Sequence, residues 1–339
     1  MRYGLESAGE NAGGDRTGFP VQSSVLDELA LLSRVVSGYS IPPVEACRFL
    51  TRGDADIYRV TTKGARFYLK IYRPPDTLAH AEAEGQLVTD LAAGGAPVVR
   101  AIPRTVGGYA CEVQAVEGPR PILLFEEAPS TQVSELGEQV CEALGRAIAG
   151  LHEALDALKG DYALPAADTD RLLDERLPYA RDFLPAADYA YLEAIGERLR
   201  VHVAAWPRER PAYGLCHADL VLSNVRLAAD GGITFYDFGD ACYIWRSFEL
   251  AVIRLSIGRR APERFGQLWD ALLSGYSAVR ALPAEFDAQL PWMLIRRQLG
   301  FISGNAASLP LRLGTQPFES DIFDCALASI RSAAAELGL

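Results

Sequence analysis

Four residues of types suited to phosphoryl transfer lie close together in the sequence. His217, Asp219 and Asn224 occur within residues 215–224, and Asp237 follows thirteen residues after Asn224. Transfer of a γ-phosphoryl group needs one carboxylate near the acceptor hydroxyl and oxygen ligands for the divalent ions that bridge the phosphates. Asp219 suits the first role, and Asn224 with Asp237 suits the second. The spacing predicts a magnesium-dependent phosphotransferase.

A predicted hairpin explains how the two parts of this motif could meet. Residues 230–232, Asp-Gly-Gly, are a strong turn signal between two apolar runs. The second strand, residues 232–236, would deliver Asp237 to the loop that carries the other three residues. The alternative is a satisfied pair of His217 and Asp219 in an unrelated core, which would not explain why both parts occur in order around a hairpin.

Length and composition are those of a globular enzyme. The chain has 339 residues, enough for one large or two modest domains. No uninterrupted run of about 18 apolar residues occurs, so no membrane-spanning segment and no membrane partner are expected. Residues 1–18 are rich in glycine and charge and lack an apolar core. They are expected to form a disordered tail rather than a secretory signal.

Charge and cysteine usage narrow the classes of partner and the location. The net charge of −11 argues against a nucleic-acid partner, for which a basic stripe is expected. The six cysteines are dispersed without Cys-x-x-Cys spacing, so neither a zinc ribbon nor a disulfide framework is indicated. Reduced thiols in a cytoplasmic protein are therefore expected.

Periodicity predicts a small first lobe made mostly of β-strands. Residues 21–37 carry apolar side chains at helical spacing and predict a first helix with one buried face that includes Val25 and Leu29. Residues 44–72 alternate and are rich in β-forming residues. The predicted elements that follow the first helix are strands at 47–50, 57–62 and 66–72, a helix at 79–93 and an apolar strand at 121–125.

Lys70 lies among apolar neighbours in the third predicted strand. An outward-facing lysine is the ordinary explanation, but a nucleotide kinase uses a strand lysine, paired with a glutamate on the next helix, to hold the α- and β-phosphates. On the helix at 79–93, Glu84 has apolar companions, whereas Glu82 lies on a different face. We therefore predict that Lys70 pairs with Glu84.

The turn at residues 52–56 is where a loop covering the phosphates is expected, and it contains a single glycine. Neither G-x-G-x-x-G nor the P-loop pattern occurs in the chain, which excludes the common P-loop NTPase interpretation. Backbone amides of a tight turn can still contact a phosphate.

After residue 125 the pattern changes from strands to helices. Residues 126–129 predict a hinge between the lobes. Apolar residues then recur at helical spacing from Leu136 to Leu155 and predict a helix. His152 on this helix is expected to be a packed structural residue. Further helices are predicted at 171–182, 187–204, 247–257, 262–281, 287–305 and 320–337. The expected fold is α+β, with a small antiparallel β lobe for the nucleotide at 19–127 and a larger, mainly α-helical lobe for catalysis and substrate binding at 128–339.

These residues resemble a known family, the aminoglycoside phosphotransferase and choline-kinase-like small-molecule kinases. The similarity covers nearly all of the chain from about residue 19. Residues 19–26 look like the opening of the branch that contains homoserine kinases and stress-response kinases, and residues 237–245 and 249–251 are similar to the same branch. The resemblance implies a bilobal protein-kinase-like fold and Mg²⁺-dependent phosphorylation of a small-molecule hydroxyl. It implies ATP as the donor, with GTP as the alternative.

The resemblance also implies roles for individual residues of the motif. Asp219 would be the catalytic base, and Asn224 with Asp237 would hold the metal. Lys70 would contact the nucleotide phosphates, with Glu84 as its partner.

At the hinge the resemblance implies three nucleotide contacts. Phe125 would be the gatekeeper beside the adenine, whose edge would meet the backbone carbonyl of Glu126 and the backbone amide of Ala128. His217 would be a structural residue that holds the catalytic loop. Ala218 stands where many relatives have glycine, which is not expected to abolish activity.

In the family the acceptor lies beneath the catalytic loop. The resemblance therefore implies Asp240, Trp245, Glu249 and the helical residues 296–305 as candidates for lining the acceptor site. Carboxylates there would suit an alcohol that bears an ammonium group, such as an amino sugar, homoserine, hydroxylysine, choline or an amino-alcohol antibiotic. The alternative is that Asp240 and Glu249 are structural and that Trp245 belongs to the core.

Two other functions stay open at this point. A protein serine/threonine kinase of the stress-response type shares the fold, and a nucleotide-binding pseudokinase could serve a regulatory role. Residues 261–263, Ala-Pro-Glu, imitate the end of a eukaryotic activation segment. That interpretation is rejected because residues 248–255 form an apolar helical run, whereas an activation loop is polar.

Overall fold

The lobe that carries Lys70 is built on one antiparallel sheet. The computed structural model describes residues 21, 23–128, 131–133, 135–312 and 321–339. The predicted tail at 1–18, residues 19 and 20 and the last hinge position therefore lie outside the described residues. The sheet has the order β1-β2-β3-β5-β4. Its strands are β1 (Val44–Arg52), β2 (Asp56–Thr62), β3 (Arg66–Ile71), β4 (Cys111–Ala115) and β5 (Gly118–Glu126).

Strand β3 shows why the sequence presents Lys70 to the cleft. Phe67, Leu69 and Ile71 alternate with more accessible residues and are buried in the core of the sheet. Because successive side chains of a strand point to opposite faces, Lys70 points away from that core. Lys70 pairs with Ile57 of β2 on one side and with Leu123 of β5 on the other.

Two helices accompany the sheet, α1 (Glu28–Arg34) and α2 (Leu78–Ala93). Helix α2 confirms the predicted helix at 79–93, whereas the prediction of a helix over 21–37 is wrong at its start. Helix α1 begins after Asp27, whose carboxylate accepts a hydrogen bond from the amide of Ala30 at 2.7 Å. The predicted buried face is correct for Leu31 and Val36, which are buried, but wrong for Val25 and Leu29, which are 55% and 70% exposed.

Long-range hydrogen bonds keep the segment before α1 out of the helix. The Arg52 guanidinium donates to the carbonyl of Ser24 at 2.8 Å, and the Tyr58 hydroxyl donates to the carbonyl of Leu26 at 2.8 Å. These partners come from the sheet, so the backbone is satisfied without an additional helical turn.

The second lobe is mainly helical, and its described part has three short strand pairs that carry the motif. Its helices are α3 (Glu138–Ala157), α4 (Thr169–Arg171), α5 (Ala186–Ala204), α6 (Arg246–Arg260), α7 (Phe265–Ser277), α8 (Phe286–Arg312) and α9 (Asp321–Glu336). Its strands are β6 (Thr131–Gln132), β7 (Tyr213–Cys216), β8 (Val225–Leu227), β9 (Ile233–Phe235) and β10 (Cys242–Trp245).

The predicted hairpin and most predicted helices are present. Strands β8 and β9 are antiparallel, and the Asp-Gly-Gly turn connects them. The helix predicted at 171–182 is instead a π-helical turn, Leu172–Arg176, followed by a 3-10 helix, Leu177–Phe183. The short pair β7 and β10, which was not predicted, fixes the start of the predicted catalytic loop, residues 217–224.

Taken together, the sheet followed by the larger helical lobe confirms the expected α+β fold. The predicted lobe boundary at 127/128 falls in the connection between β5 and β6. None of the described helices is long and apolar enough to cross a lipid bilayer.

Candidate active site

An ionic cluster joins the sheet to the end of the hairpin. The Lys70 ammonium lies 3.0 Å from Glu84 Oε2 and 2.6 Å from Asp237 Oδ1. Glu84 is fully buried on α2 and also accepts a hydrogen bond from the Tyr72 hydroxyl. The structure therefore brings the predicted pair of Lys70 and Glu84 together and adds Asp237 to it.

Glu82, the rejected alternative, has a different task. Its carboxylate accepts hydrogen bonds from the amides of Tyr109 at 2.9 Å and Ala110 at 2.7 Å. It thus fixes the connection before β4 and makes no contact with Lys70.

Asp237, which follows β9, has an unusual backbone conformation. Its φ of +67° lies in the left-handed region, which non-glycine residues adopt at a cost and often at functional sites. Burial alone would raise the pKa of its carboxyl, but the Lys70 ammonium outweighs that effect and lowers it. The carboxylate remains solvent-accessible inside the cleft and is ionised at neutral pH.

His80 supports this corner of the site and was not predicted. Its ring Nε2 donates to the carbonyl of Gly239 at 2.8 Å, and Nδ1 lies 3.2 Å from Asp76. The hydrogen bond with Asp76 raises the pKa of His80. A Cβ built on Gly239 would lie 2.7 Å from the Lys70 ammonium, so a larger residue there would displace the end of the lysine side chain.

The catalytic loop begins where β7 ends. The ring Nε2 of His217 donates to the carbonyl of Tyr236 at 3.0 Å, and its Nδ1 lies 3.3 Å from the amide of Asp219. His217 thereby connects the loop to the strand that delivers Asp237. Ala218 has a φ of +65°, a conformation in which glycine carries no penalty.

Glu249 lies beneath this loop and does not face a substrate cleft. Its buried carboxylate accepts hydrogen bonds from the amides of His217 at 3.1 Å and Ala218 at 2.8 Å. Burial alone would raise the pKa of Glu249, but the opposing contacts, led by His152, hold it below its ordinary value. Its position fits the structural alternative rather than the substrate-lining expectation.

Asp219 has contacts on both of its carboxylate oxygens. The amide nitrogen of Asn224 donates to Asp219 Oδ2 at 3.1 Å and to its backbone carbonyl at 2.9 Å. On the other side, the Arg297 guanidinium of α8 donates to Oδ1 at 2.6 Å. The sequence indicated Arg297 only as part of the candidate segment 296–305. Its contact with Asp219 joins residues 78 positions apart, and local sequence patterns do not reveal such a contact.

Asn224 and Asp237 offer oxygens that fit a magnesium ion. The contacts of Asn224 use its amide nitrogen, which leaves its carbonyl oxygen available. Lys70 contacts Oδ1 of Asp237 at 2.6 Å, and the Asp237 side chain is 48% exposed, so its carboxylate is accessible to an ion. Mg²⁺ prefers oxygen ligands and retains several waters, so one amide and one carboxylate are a suitable protein contribution.

At the hinge, Glu127 ties β3 to the connection between the lobes. It accepts hydrogen bonds from Arg66 at 2.8 Å and from Tyr68 at 3.1 Å. Phe125 is partly buried and packs against the core. Among the described residues, the backbone amide of Ala128 has no hydrogen-bond partner.

Comparison with known proteins agrees with this geometry. The model of the phosphotransferase enzyme family matches residues 47–282, which include the sheet, the hinge and the catalytic loop. The chain belongs to the phosphotransferase enzyme family. This confirms the resemblance predicted from the sequence.

The relatives of this phosphotransferase include proteins with and without an assigned function. It is 32% identical to an uncharacterized protein of Deinococcus radiodurans over 88% of this chain and 89% of that protein. It is 27% identical to a homoserine kinase of Xanthobacter autotrophicus over 80% of this chain and 84% of that one.

A solved structure confirms the fold. An amicoumacin kinase, solved in complex with AMP-PNP, Ca²⁺ and Ami, superposes with a TM-score of 0.75. The similarity covers 92% of this chain and 94% of the kinase at 19% identity.

The two remaining substrate candidates of the phosphotransferase lie in different environments. Asp240 is accessible in the cleft, where burial by the surrounding protein and the charges of Asp219 and Asp237 raise its pKa. Trp245 is 1% exposed, and its indole nitrogen donates to the carbonyl of Pro207 at 3.0 Å. Trp245 therefore occupies the core, and Asp240 alone of the pair is accessible to a ligand.

A cavity of about 300 Å³ opens beside Asp219, between the catalytic loop and two helices. Helix α6 and helix α8 contribute most of its wall, and two arginines, Arg259 and Arg297, are part of it. Sequence analysis missed Arg259. The helical spacing of Val252, Leu255, Ser256 and Arg259 on α6 was the available signal.

His152 provides a prediction about stability. Burial lowers its pKa to about 4 from an ordinary 6.5, and its Nδ1 is hydrogen-bonded to the Tyr276 hydroxyl at 2.9 Å. Between these values the unfolded chain binds a proton that the folded protein does not. The free energy of unfolding is therefore expected to decrease as the pH is lowered from 6.5 to 4. His152 alone accounts for about 3 kcal/mol of this decrease.

Urea unfolding of the protein and of His152→Gln between pH 7 and pH 4 tests this effect. The variant should lose less stability over that range, whereas His202→Gln, at an exposed histidine, should behave like the unchanged protein. Equal losses in all three proteins would contradict the assignment.

Proposed function

We propose that this phosphotransferase transfers the γ-phosphoryl group of ATP to a hydroxyl of a small molecule, with Mg²⁺. The observation that carries the proposal is the convergence of four groups at one cleft. Lys70 contacts Asp237 at 2.6 Å, and Asn224 contacts Asp219 at 3.1 Å. We assign them as a phosphate ligand, two metal ligands and a base, and the phosphate ligand Lys70 comes from a position 167 residues before Asp237.

Each group has a defined part in the reaction. The acceptor oxygen attacks the γ-phosphorus, and the bond from that phosphorus to the β–γ bridging oxygen breaks. ADP leaves with the electron pair, and the hydroxyl proton passes to the Asp219 carboxylate. Lys70 holds the nucleotide phosphates, and Glu84 fixes its ammonium. A bound Mg²⁺ would be held by Asn224 and Asp237 and would neutralise phosphate charge.

The hinge supplies the contacts for the nucleotide base. The amide of Ala128, which has no partner among the described residues, and the carbonyl of Glu126 would meet the adenine edge, with Phe125 beside the ring. ATP is the proposed donor, and GTP is the alternative that competition binding would identify.

ADP release with a panel of acceptors tests the proposal. The panel contains homoserine, hydroxylysine, choline, amino sugars, amino-alcohol antibiotics and a generic protein acceptor. Stimulation by a small molecule would support the proposal, whereas phosphate incorporation into protein alone would favour a protein kinase. Nucleotide binding without any magnesium-dependent ADP release would favour a pseudokinase and contradict the proposal.

Asp237→Asn should reduce acceptor-stimulated ADP release by about 100-fold or more, since it removes one negative charge from the metal site. The variant should keep its fold, because Glu84 still pairs with Lys70. The measurement is a magnesium titration of the initial rate, and the half-saturating concentration should rise. Asp230→Asn, the same change in the exposed hairpin turn, is the control. An unchanged magnesium titration in Asp237→Asn would contradict its role as a ligand.

A further inference from the structure

The wall of the cavity beside Asp219 carries more positive than negative side chains. An acceptor that bears an ammonium group would instead need negative side chains there. Its wall includes Asp219, Arg259, Arg297, Gln298 and Phe301. The charged groups in this wall are two guanidinium groups and one carboxylate. The carboxylate is the proposed base, so it is needed for the hydroxyl proton.

Arg259 has no counter-ion in the described part of the chain. Its guanidinium stacks 5.3 Å from the centre of the Phe301 ring and lies 3.5 Å from the side-chain oxygen of Gln298. Among the described residues, no carboxylate lies within ion-pair distance of it. Burial, followed by the positive charge of Arg297, lowers its pKa. Arg259 is exposed to solvent, so its guanidinium is accessible to an anionic ligand that enters the cavity.

Arg297 stands between this cation and the base. Its guanidinium donates to Asp219 Oδ1 at 2.6 Å, and both side chains are 25% exposed. Arginine presents five donors in a planar fork, so Arg297 can contact Asp219 and a second anion together. Two neighbouring forks that open into one cavity match the oxygens of a carboxylate or a phosphate group.

We propose that the acceptor carries an anionic group, a carboxylate or a phosphate, which Arg259 and Arg297 bind while Asp219 contacts its hydroxyl. This inference rests on the proposed function and names the substrate class of the same site. The cavity of about 300 Å³ is at the small end of ligand sites, so the acceptor is a small hydroxy acid, amino acid or phosphate ester. Asp240, on the cleft side, is available for an additional ammonium group of such a molecule.

Matched acceptors that differ only in the anionic group test the inference. The pairs are L-homoserine and its decarboxylated amino alcohol, glycerate and glycerol, and glycerol phosphate and glycerol. Initial rates of ADP release with ATP and Mg²⁺ give kcat/KM for each compound. In the unchanged protein, the anionic member of at least one pair should be preferred about ten-fold or more. The pair that shows the preference distinguishes a carboxylate from a phosphate.

Arg259→Gln should reduce that preference to about two-fold or less, mainly through a higher KM for the anionic compound. Arg259→Lys should restore part of it, because a lysine keeps the charge but not the fork. Arg254→Gln is the matched control on the same helix, since Arg254 pairs with Glu336 outside the cavity. It should leave the preference unchanged.

Several outcomes would overturn the inference while the phosphotransferase stands. One is a preference for the uncharged or cationic member in every pair. Another is an unchanged preference for the anionic member in Arg259→Gln. The third is no stimulation by any compound, although nucleotide hydrolysis that depends on Asp219 persists. If nucleotide hydrolysis did not depend on Asp219 at all, the proposed function would fail, and this inference would fail with it.

Discussion

Asp219→Asn is expected to reduce acceptor-stimulated ADP release about a thousand-fold, with nucleotide affinity changed by no more than about three-fold. Asparagine has the same shape as aspartate, and its side-chain oxygen can still accept the hydrogen bond from Arg297. The amide of Asn224 would lose its acceptor at Oδ2 but keep its bond to the backbone carbonyl of this position. The new asparagine cannot take the proton of the attacking hydroxyl. The loss should therefore appear in kcat rather than in nucleotide binding.

Two measurements separate this chemical effect from damage to the loop. Nucleotide affinity, from calorimetric titration with a non-hydrolysable ATP analogue, should match that of the unchanged protein. The midpoint of urea unfolding should also match. Asp230→Asn, the same change at an exposed position of the turn between β8 and β9, is the control and should retain most of the turnover. Full turnover in Asp219→Asn would show that Asp219 is not the base.

Glu249→Gln is expected to lower the free energy of unfolding by about 2–4 kcal/mol and to slow turnover by about 10–100-fold. Glu249 is fully buried, and its carboxylate accepts hydrogen bonds from two backbone amides of the catalytic loop, at 3.1 Å and 2.8 Å. A glutamine has one acceptor oxygen, and its amide group would face the second backbone N–H. One buried donor would then lack a partner, and the loop that holds Asp219 would lose its support.

Urea unfolding and steady-state kinetics measured on the same preparation test this pair of effects. Glu336→Gln removes a carboxylate that is 43% exposed and pairs with Arg254, so it should change stability by less than about 1 kcal/mol. If Glu249 instead bound substrate from the cleft, its variant would show a raised KM with unchanged stability. That result would contradict the structural role.

The sequence by itself determined the type of chemistry. Phosphoryl transfer requires a carboxylate base and oxygen ligands for the metal, so the order and spacing of Asp219, Asn224 and Asp237 narrowed the function before any fold was known. The turn between β8 and β9 is a local property of Asp-Gly-Gly and was predictable for that reason. The alternation in β3, which turns Lys70 away from the core, is equally local.

The tertiary structure decided which side chains face the cleft. The periodicity of α6 and α8 shows which residues share a helical face, but it does not show what each face contacts. Glu249 and Arg259 lie on the same helix, yet one holds the catalytic loop from below and the other lines the cavity. Arg297 reaches Asp219 across 78 positions through the packing of α8 on α6. Such contacts depend on how whole elements pack, and local sequence patterns do not encode that packing.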